Sequence, residues 1–110
     1  MSVDFRTRRS RLGSLSGGLS GAAIKPMTLR LVHLVSQAVK VPVVGLGGVE
    51  TPEDVLEYLV VGATAVQVGT ASFVDPRATG RLVEGVERLC QVEKIRNIND
   101  LRGSLEKELA

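Results

Sequence analysis

The stretch Val41-Pro42-Val43-Val44-Gly45-Leu46-Gly47-Gly48-Val49, with Thr51-Pro52-Glu53-Asp54 behind it and Thr64-Ala65-Val66-Gln67-Val68-Gly69-Thr70-Ala71 after one helical span, decides the fold. Pro42 to Leu46 is short, apolar and β-branched, which predicts a strand buried on both faces of a parallel sheet. Thr51 is the expected N-cap, Pro52 suits the first helical position, and Glu53 and Asp54 put acids in the first turn. Val55, Leu56, Leu59 and Val60 supply an apolar stripe, and Gly62 ends the helix. A second strand, about Thr64 to Val68, follows at once. Strand, helix and strand in so few residues make a compact right-handed βαβ unit. The fold class is α/β.

Working outward, the flanks extend the same alternation. Upstream, Met27, Leu31, Leu34, Val35 and Ala38 recur at helical spacing, opposite Thr28, Arg30, His33 and Gln37, and predict a helix from about Ala22 to near Lys40 with Pro26 in its first turn. Residues 1–21 read as irregular, with an extended Val3-Asp4-Phe5 at the start. Downstream, Phe73-Val74-Asp75-Pro76 leads to a helix with Thr79 as its cap and Leu82, Val83, Val86, Leu89 and Cys90 as its inner face. Gly80 and Gly85 weaken that helix. Asn99 to Leu109 reads as a short polar helix capped by Asn99 or Asp100. No linker separates two domains, so residues 1–110 are expected to belong to a single domain.

Three glycine turns carry the chemistry: Gly17-Gly18-Leu19-Ser20-Gly21, Gly45-Leu46-Gly47-Gly48-Val49 and Gly69-Thr70-Ala71. Each precedes a predicted helix, and the second and third follow predicted strands. Glycine permits close backbone approach, and a helix start points N–H groups and a positive dipole end at whatever fills the turn. In parallel α/β folds ligands bind at the carboxyl ends of strands, and in (β/α)₈ barrels the last two strands often hold a phosphate. Gly47, Gly48, Gly69 and Thr70 lie where this requires, and Thr70 adds a hydroxyl donor. Tight βα turns also use glycine for steric reasons alone. No Walker-type Gly-Lys-Ser/Thr, Gly-x-Gly-x-x-Gly, metal-ligand cluster or nucleophile–base pair occurs. Ser16 and Ser20 read as turn formers.

Composition narrows the alternatives. With 44% hydrophobic, 24% charged and 3% aromatic residues, the core is aliphatic and base stacking has almost nothing to work with. The net charge is only +2. Arg6, Arg8, Arg9 and Arg11 read as a solvated loop or a partner-facing surface rather than a nucleic-acid or membrane patch. Cys90 is alone and reads as a small buried hydrophobe, so a reducing, cytoplasmic setting is the simplest expectation. His33, the single histidine, reads as a solvated surface residue. No segment approaches a membrane span, and the N-terminal arginines precede no apolar signal region.

The motifs together resemble the C-terminal part of the catalytic subunit of dihydroorotate dehydrogenases, above all the class 1 subtype linked to NAD through a partner subunit. The resemblance rests on Gly17-Gly18-Leu19-Ser20-Gly21 with Ala23-Ile24-Lys25-Pro26, on Val43-Val44-Gly45-Leu46-Gly47-Gly48-Val49, on Glu53-Asp54-Val55-Leu56-Glu57 and on Val68-Gly69-Thr70-Ala71-Ser72-Phe73-Val74-Asp75-Pro76. Val3-Asp4 and Thr7-Arg8-Arg9 fit as well. It implies the last two βα units of a (β/α)₈ TIM barrel, with the preceding loop and helix, and FMN across the barrel mouth. Carried over, the FMN contacts are Gly21, Gly47, Gly48, Gly69 and Thr70, mostly through backbone amides around the 5′-phosphate. Ala22 and Gly80 stand where the family usually has Pro, which loosens two helix starts without removing a donor.

A whole barrel takes about 250 residues. The family's Cys or Ser base, its orotate-holding Asn residues and its flavin-contacting Lys belong to upstream segments. Lys25 lies in the helix after a glycine turn and cannot replace that Lys. Met1 matches an internal Met of the family, so the expectation is a barrel fragment without catalytic or metal-binding residues of its own, inactive alone. Dihydroorotate and orotate then concern only the complete enzyme. The expected partners are FMN, the upstream barrel segment and an electron-transfer subunit. A non-catalytic phosphate-binding half-barrel and another phosphate-binding barrel enzyme remain the alternatives.

Overall fold

In the computed structural model, which describes residues 1–106, the order of elements follows the sequence pattern. Strands β1 (Val3–Asp4) and β2 (Arg9–Ser10) pair antiparallel, Val3 opposite Ser10 and Asp4 opposite Arg9. The Asp4 carboxylate closes the turn by accepting from the Arg6 and Thr7 amides at 2.9 and 3.3 Å. A hairpin thus stands where an irregular opening was expected, and Arg6, Arg8, Arg9 and Arg11 are exposed on it.

A 3₁₀ turn, Ala22–Ile24, leads into helix α1 (Lys25–Ala38). Strand β3 (Val44–Leu46), helix α2 (Pro52–Val60) and strand β4 (Ala65–Gln67) form the expected βαβ unit, with β3 and β4 parallel and Val44, Gly45 and Leu46 opposite Ala65, Val66 and Gln67. Helix α3 (Thr70–Val74) and helix α4 (Ala78–Val92) follow. Alternation along β3 turns Gly45 inward, whereas Val44 and Leu46 are about half exposed, at 49% and 52%. The strand is therefore not buried on both faces: helices of the described residues cover only one.

Both ends of α2 are as expected. Thr51 Oγ1 accepts from the Asp54 amide at 3.3 Å, and the Asp54 carboxylate accepts from the Thr51 amide at 2.9 Å, a reciprocal capping box. At the far end Gly62, at φ 118°, donates to Leu59 O, and the Ala63 amide donates to Tyr58 O, each at 2.9 Å. That pairing is a Schellman stop. The Gly103 and Leu105 amides also reach the last carbonyls, Leu59 O at 2.9 Å and Val60 O at 3.2 Å, so the chain after α4 ties back onto α2.

Val32, Val49, Tyr58, Ala63 and Leu82 form the core, with Leu29, Val43, Val55, Val61, Val66 and Val68 packed against it. The apolar stripe expected on α1 is on the wrong side. Met27, Leu31, Leu34 and Val35 are exposed, and α1 packs through Leu29 and Val32 instead. Its close approach to α2 explains this: a Cβ at Gly62 would overlap the Ser36 side chain, and Ser36 Oγ lies 3.1 Å from Val61 O. His33 is half-buried, not solvated, and its Nδ1 is buried without a partner among the described residues.

On α4, Ala78 and Leu82 are buried and Val83 is exposed. Gly85 lets the helix close on α2, because a Cβ there would overlap the Pro52 ring. Thr79 sits inside α4 and does not cap it; the cap position falls to Arg77. Cys90 is half-buried. The expected polar helix from Asn99 is a 3₁₀ turn, Ile98–Leu101, capped by Asn97, whose Oδ1 accepts from the Asn99 amide at 3.0 Å. Its expected continuation beyond residue 106 lies outside the described residues. No helix among them is long and apolar enough to cross a membrane.

Candidate functional site

The three glycine turns converge on one cleft of about 430 Å³. Gly21, Gly47, Gly48, Gly69 and Thr70, the five residues singled out from sequence, all line it. Gly17 and Gly18 do not. Ser20, Glu50, Gln67 and Thr70 bring polar side chains, and Leu19, Leu46 and Phe73 an apolar wall.

Contacts between turns, not helix starts, hold the cleft together. Gly48, at φ 67°, lies so close to the first turn that an added Cβ would stand 2.9 Å from Gly21 O and 3.2 Å from Ala22 Cα. Thr70 Oγ1 donates to Ser20 Oγ at 2.9 Å, joining the third turn to the first. Ser20 is thus a bridge rather than a turn former, and the hydroxyl expected to point at a ligand is engaged within the rim. At Gly69 an added Cβ meets nothing within 4 Å, so this backbone fronts open space.

One expectation needs correction. The loop entering α2 is not an open set of donors, because the Glu50 and Thr51 amides both donate to Asp54 Oδ2 at 2.9 Å. What the second turn offers the cleft is the peptide of Gly47 and Gly48 itself.

That peptide is held from below by a residue that sequence periodicity missed. Tyr58, fully buried, lies under Gly45, where any Cβ would overlap its ring. Its hydroxyl donates to Gly47 O at 2.6 Å and is hydrogen-bonded to Thr28 Oγ1. A signal was present: Tyr58 falls four residues after Asp54 on one helix face, beneath a strand glycine. Weighting only the aliphatic stripe concealed it.

The comparisons with known proteins converge on the same segment. The family model described as dihydroorotate dehydrogenase matches residues 1–90, from the hairpin through Cys90 and including all three turns. The chain belongs to the dihydroorotate dehydrogenase family.

Among relatives within this family, the chain is similar to dihydroorotate dehydrogenase B (NAD(+)), catalytic subunit, of Thermodesulfovibrio yellowstonii, at 49% identity over 97% of this chain and 35% of the relative. The protein of the same description from Geotalea uraniireducens is 50% identical over 96% of this chain and 34% of its own length. Among solved structures, the DHODH of Eimeria tenella in complex with ferulenol superposes with a TM-score of 0.74 at 28% identity, over 89% of this chain and 27% of that one. The chain spans about a third of the length of these dihydroorotate dehydrogenase relatives.

Electrostatics bind the first turn to the second in this dihydroorotate dehydrogenase segment. The Lys25 ammonium pairs with Asp54 Oδ1 and lies 2.8 Å from Glu57 Oε2. The hydrogen bonds that the ammonium donates, to Asp54 first and then to Glu57, hold it well above the ordinary lysine value, against the opposing effect of burial. Burial pushes the Asp54 carboxyl up, but Lys25 and the Glu50 and Thr51 amides outweigh it and leave the group below its usual range. Lys25 is thus a bracket between helices that stands outside the cleft lining.

Proposed function

We propose that this chain is the phosphate-holding C-terminal part of an FMN-dependent dihydroorotate dehydrogenase, the last two βα units of its (β/α)₈ barrel. The observation that carries the proposal is the meeting of three glycine turns in one cleft, with Gly48 against Gly21 and Thr70 bonded to Ser20. A phosphate monoester needs several N–H donors converging on its oxygens, and glycine backbone supplies them without a lysine. Gly21, Gly47, Gly48, Gly69 and Thr70 hold the FMN phosphate, and Leu19, Leu46 and Phe73 give the flavin an apolar wall. Bound FMN supplies the hydride acceptor for oxidation of dihydroorotate to orotate. The residues of this chain bind and orient the cofactor and move no proton.

The uncovered surfaces support a partial barrel. The face of β3 and β4 bearing Val44, Leu46, Ala65 and Gln67 becomes barrel interior, and the exposed Met27, Leu31, Leu34 and Val35 pack on the rest. The partners on this reading are an upstream barrel segment and an electron-transfer subunit. The test is co-expression with the N-terminal two thirds of the Thermodesulfovibrio yellowstonii relative. A yellow complex that oxidises dihydroorotate, while the chain alone does not, supports the proposal. Oxidation by the chain alone, or no flavin in a stable complex, overturns it.

A further inference from the structure

The peptide between Gly47 and Gly48 is flanked by two residues at positive φ, 134° and 67°. Because neither carries a Cβ, this peptide plane turns over at little steric cost, and something else must choose its direction. In a trans peptide the carbonyl and the following N–H point opposite ways. Tyr58 Oη donates to Gly47 O at 2.6 Å from within the core, so the Gly48 N–H points out of the core, on the cleft side. Among the described residues that N–H has no acceptor.

We propose that Tyr58 is a positioning residue of the cleft, aiming the Gly48 N–H at the phosphate of a bound ligand through the Gly47 carbonyl. The Tyr58 hydroxyl donates to Gly47 O and is also hydrogen-bonded to the Thr28 hydroxyl, which itself lies 3.5 Å from that oxygen, so hydroxyls from two helices converge on one carbonyl. The ring alone fills the space under Gly45, and a phenylalanine does that equally well; the hydroxyl is what selects the peptide direction. Asp54 takes the Glu50 and Thr51 amides just ahead of α2, whereas the Gly48 N–H is a donor this turn can turn toward the cleft. That the ligand is a phosphate ester rests on the function proposed above.

The test uses the full chain with Tyr58→Phe, labelled with ¹⁵N and ¹³C, first without ligand and then titrated with FMN and with riboflavin. The expected result is a shifted Gly47 carbonyl signal and a broadened or split Gly48 amide signal in the variant. FMN affinity falls by about three- to tenfold and riboflavin affinity stays unchanged. Tyr58 is the chain's single tyrosine, so 3-fluorotyrosine alters this site alone and, as a stronger donor at equal ring packing, moves the Gly47 signal the other way. Wild-type Gly47 and Gly48 signals in both substituted proteins, or equal losses for FMN and riboflavin, overturn the assignment. A wild-type chain that binds no FMN overturns the phosphate reading instead, while the ligand-free signals still decide whether Tyr58 directs the peptide.

Discussion

Thr70 Oγ1 donates to Ser20 Oγ at 2.9 Å across 50 positions of sequence. The bond is exposed, so its worth to the fold is small; its effect is to set the third glycine turn against the first. Thr70→Val is expected to change stability by less than about 1 kcal/mol and to weaken FMN binding about three- to tenfold, with Thr70→Ser close to wild type. Denaturant unfolding and flavin-fluorescence titration check the two halves.

Two glycines of the cleft separate fold from ligand. Gly48→Ala forces a side chain into a positive-φ position beside Gly21 O and Lys25 Cβ, and is expected to cost about 1–3 kcal/mol. Gly69→Ala meets no protein atom within 4 Å, so stability holds to within about 1 kcal/mol while the methyl group obstructs the cleft. Paired unfolding and FMN-binding measurements distinguish the two effects.

The Lys25–Asp54 bracket gives stability a defined pH window. Asp54 is lowered from 3.8 on folding, so its contribution is present above that value and is lost as pH falls through the lowered folded value. Lys25 is raised from 10.5, so its contribution is complete below that value and is lost only as pH rises through the raised one. Between these limits the pair contributes fully. Lys25→Met is expected to remove about 1–3 kcal/mol at pH 7 and to move the acid limb to higher pH, because burial then raises the Asp54 pKa with one opposing group fewer. Urea unfolding from pH 3 to 8 checks it.

Gly80 and Gly85 respond oppositely to the same change. Gly80 faces open space inside α4, so Gly80→Ala gains up to about 1 kcal/mol of helix propensity. Gly85→Ala meets the Pro52 ring and costs about 1–3 kcal/mol. Thermal unfolding of both variants checks the sign.

Local chemistry makes the βαβ unit legible in the sequence. Thr51, Pro52 and Asp54 announce a capped start, Gly62 announces the stop, and the strands flank them. Gly21 needed the family resemblance, because no strand leads into its turn, whereas Gly47, Gly48, Gly69 and Thr70 were legible from their place just past the two strands. The packing direction of α1 was not: its strongest apolar stripe, Met27 to Val35, faces away from the described core, and periodicity cannot say which neighbour a stripe meets. Tyr58 was missed because a half-polar residue next to Glu57 adds little to an apolar pattern. Its role depends on the missing side chain of Gly45, thirteen positions away.

The most direct measurement of the central claim is a parallel titration of the chain with FMN and riboflavin, which differ by the phosphate alone. If the cleft is a phosphate cradle, FMN binds at least about tenfold more tightly, since several charge-assisted N–H bonds are each worth about 1.5 kcal/mol or more. The preference falls away in Gly48→Ala and Gly69→Ala. Equal affinity for the two flavins, or a preference untouched by both substitutions, contradicts it.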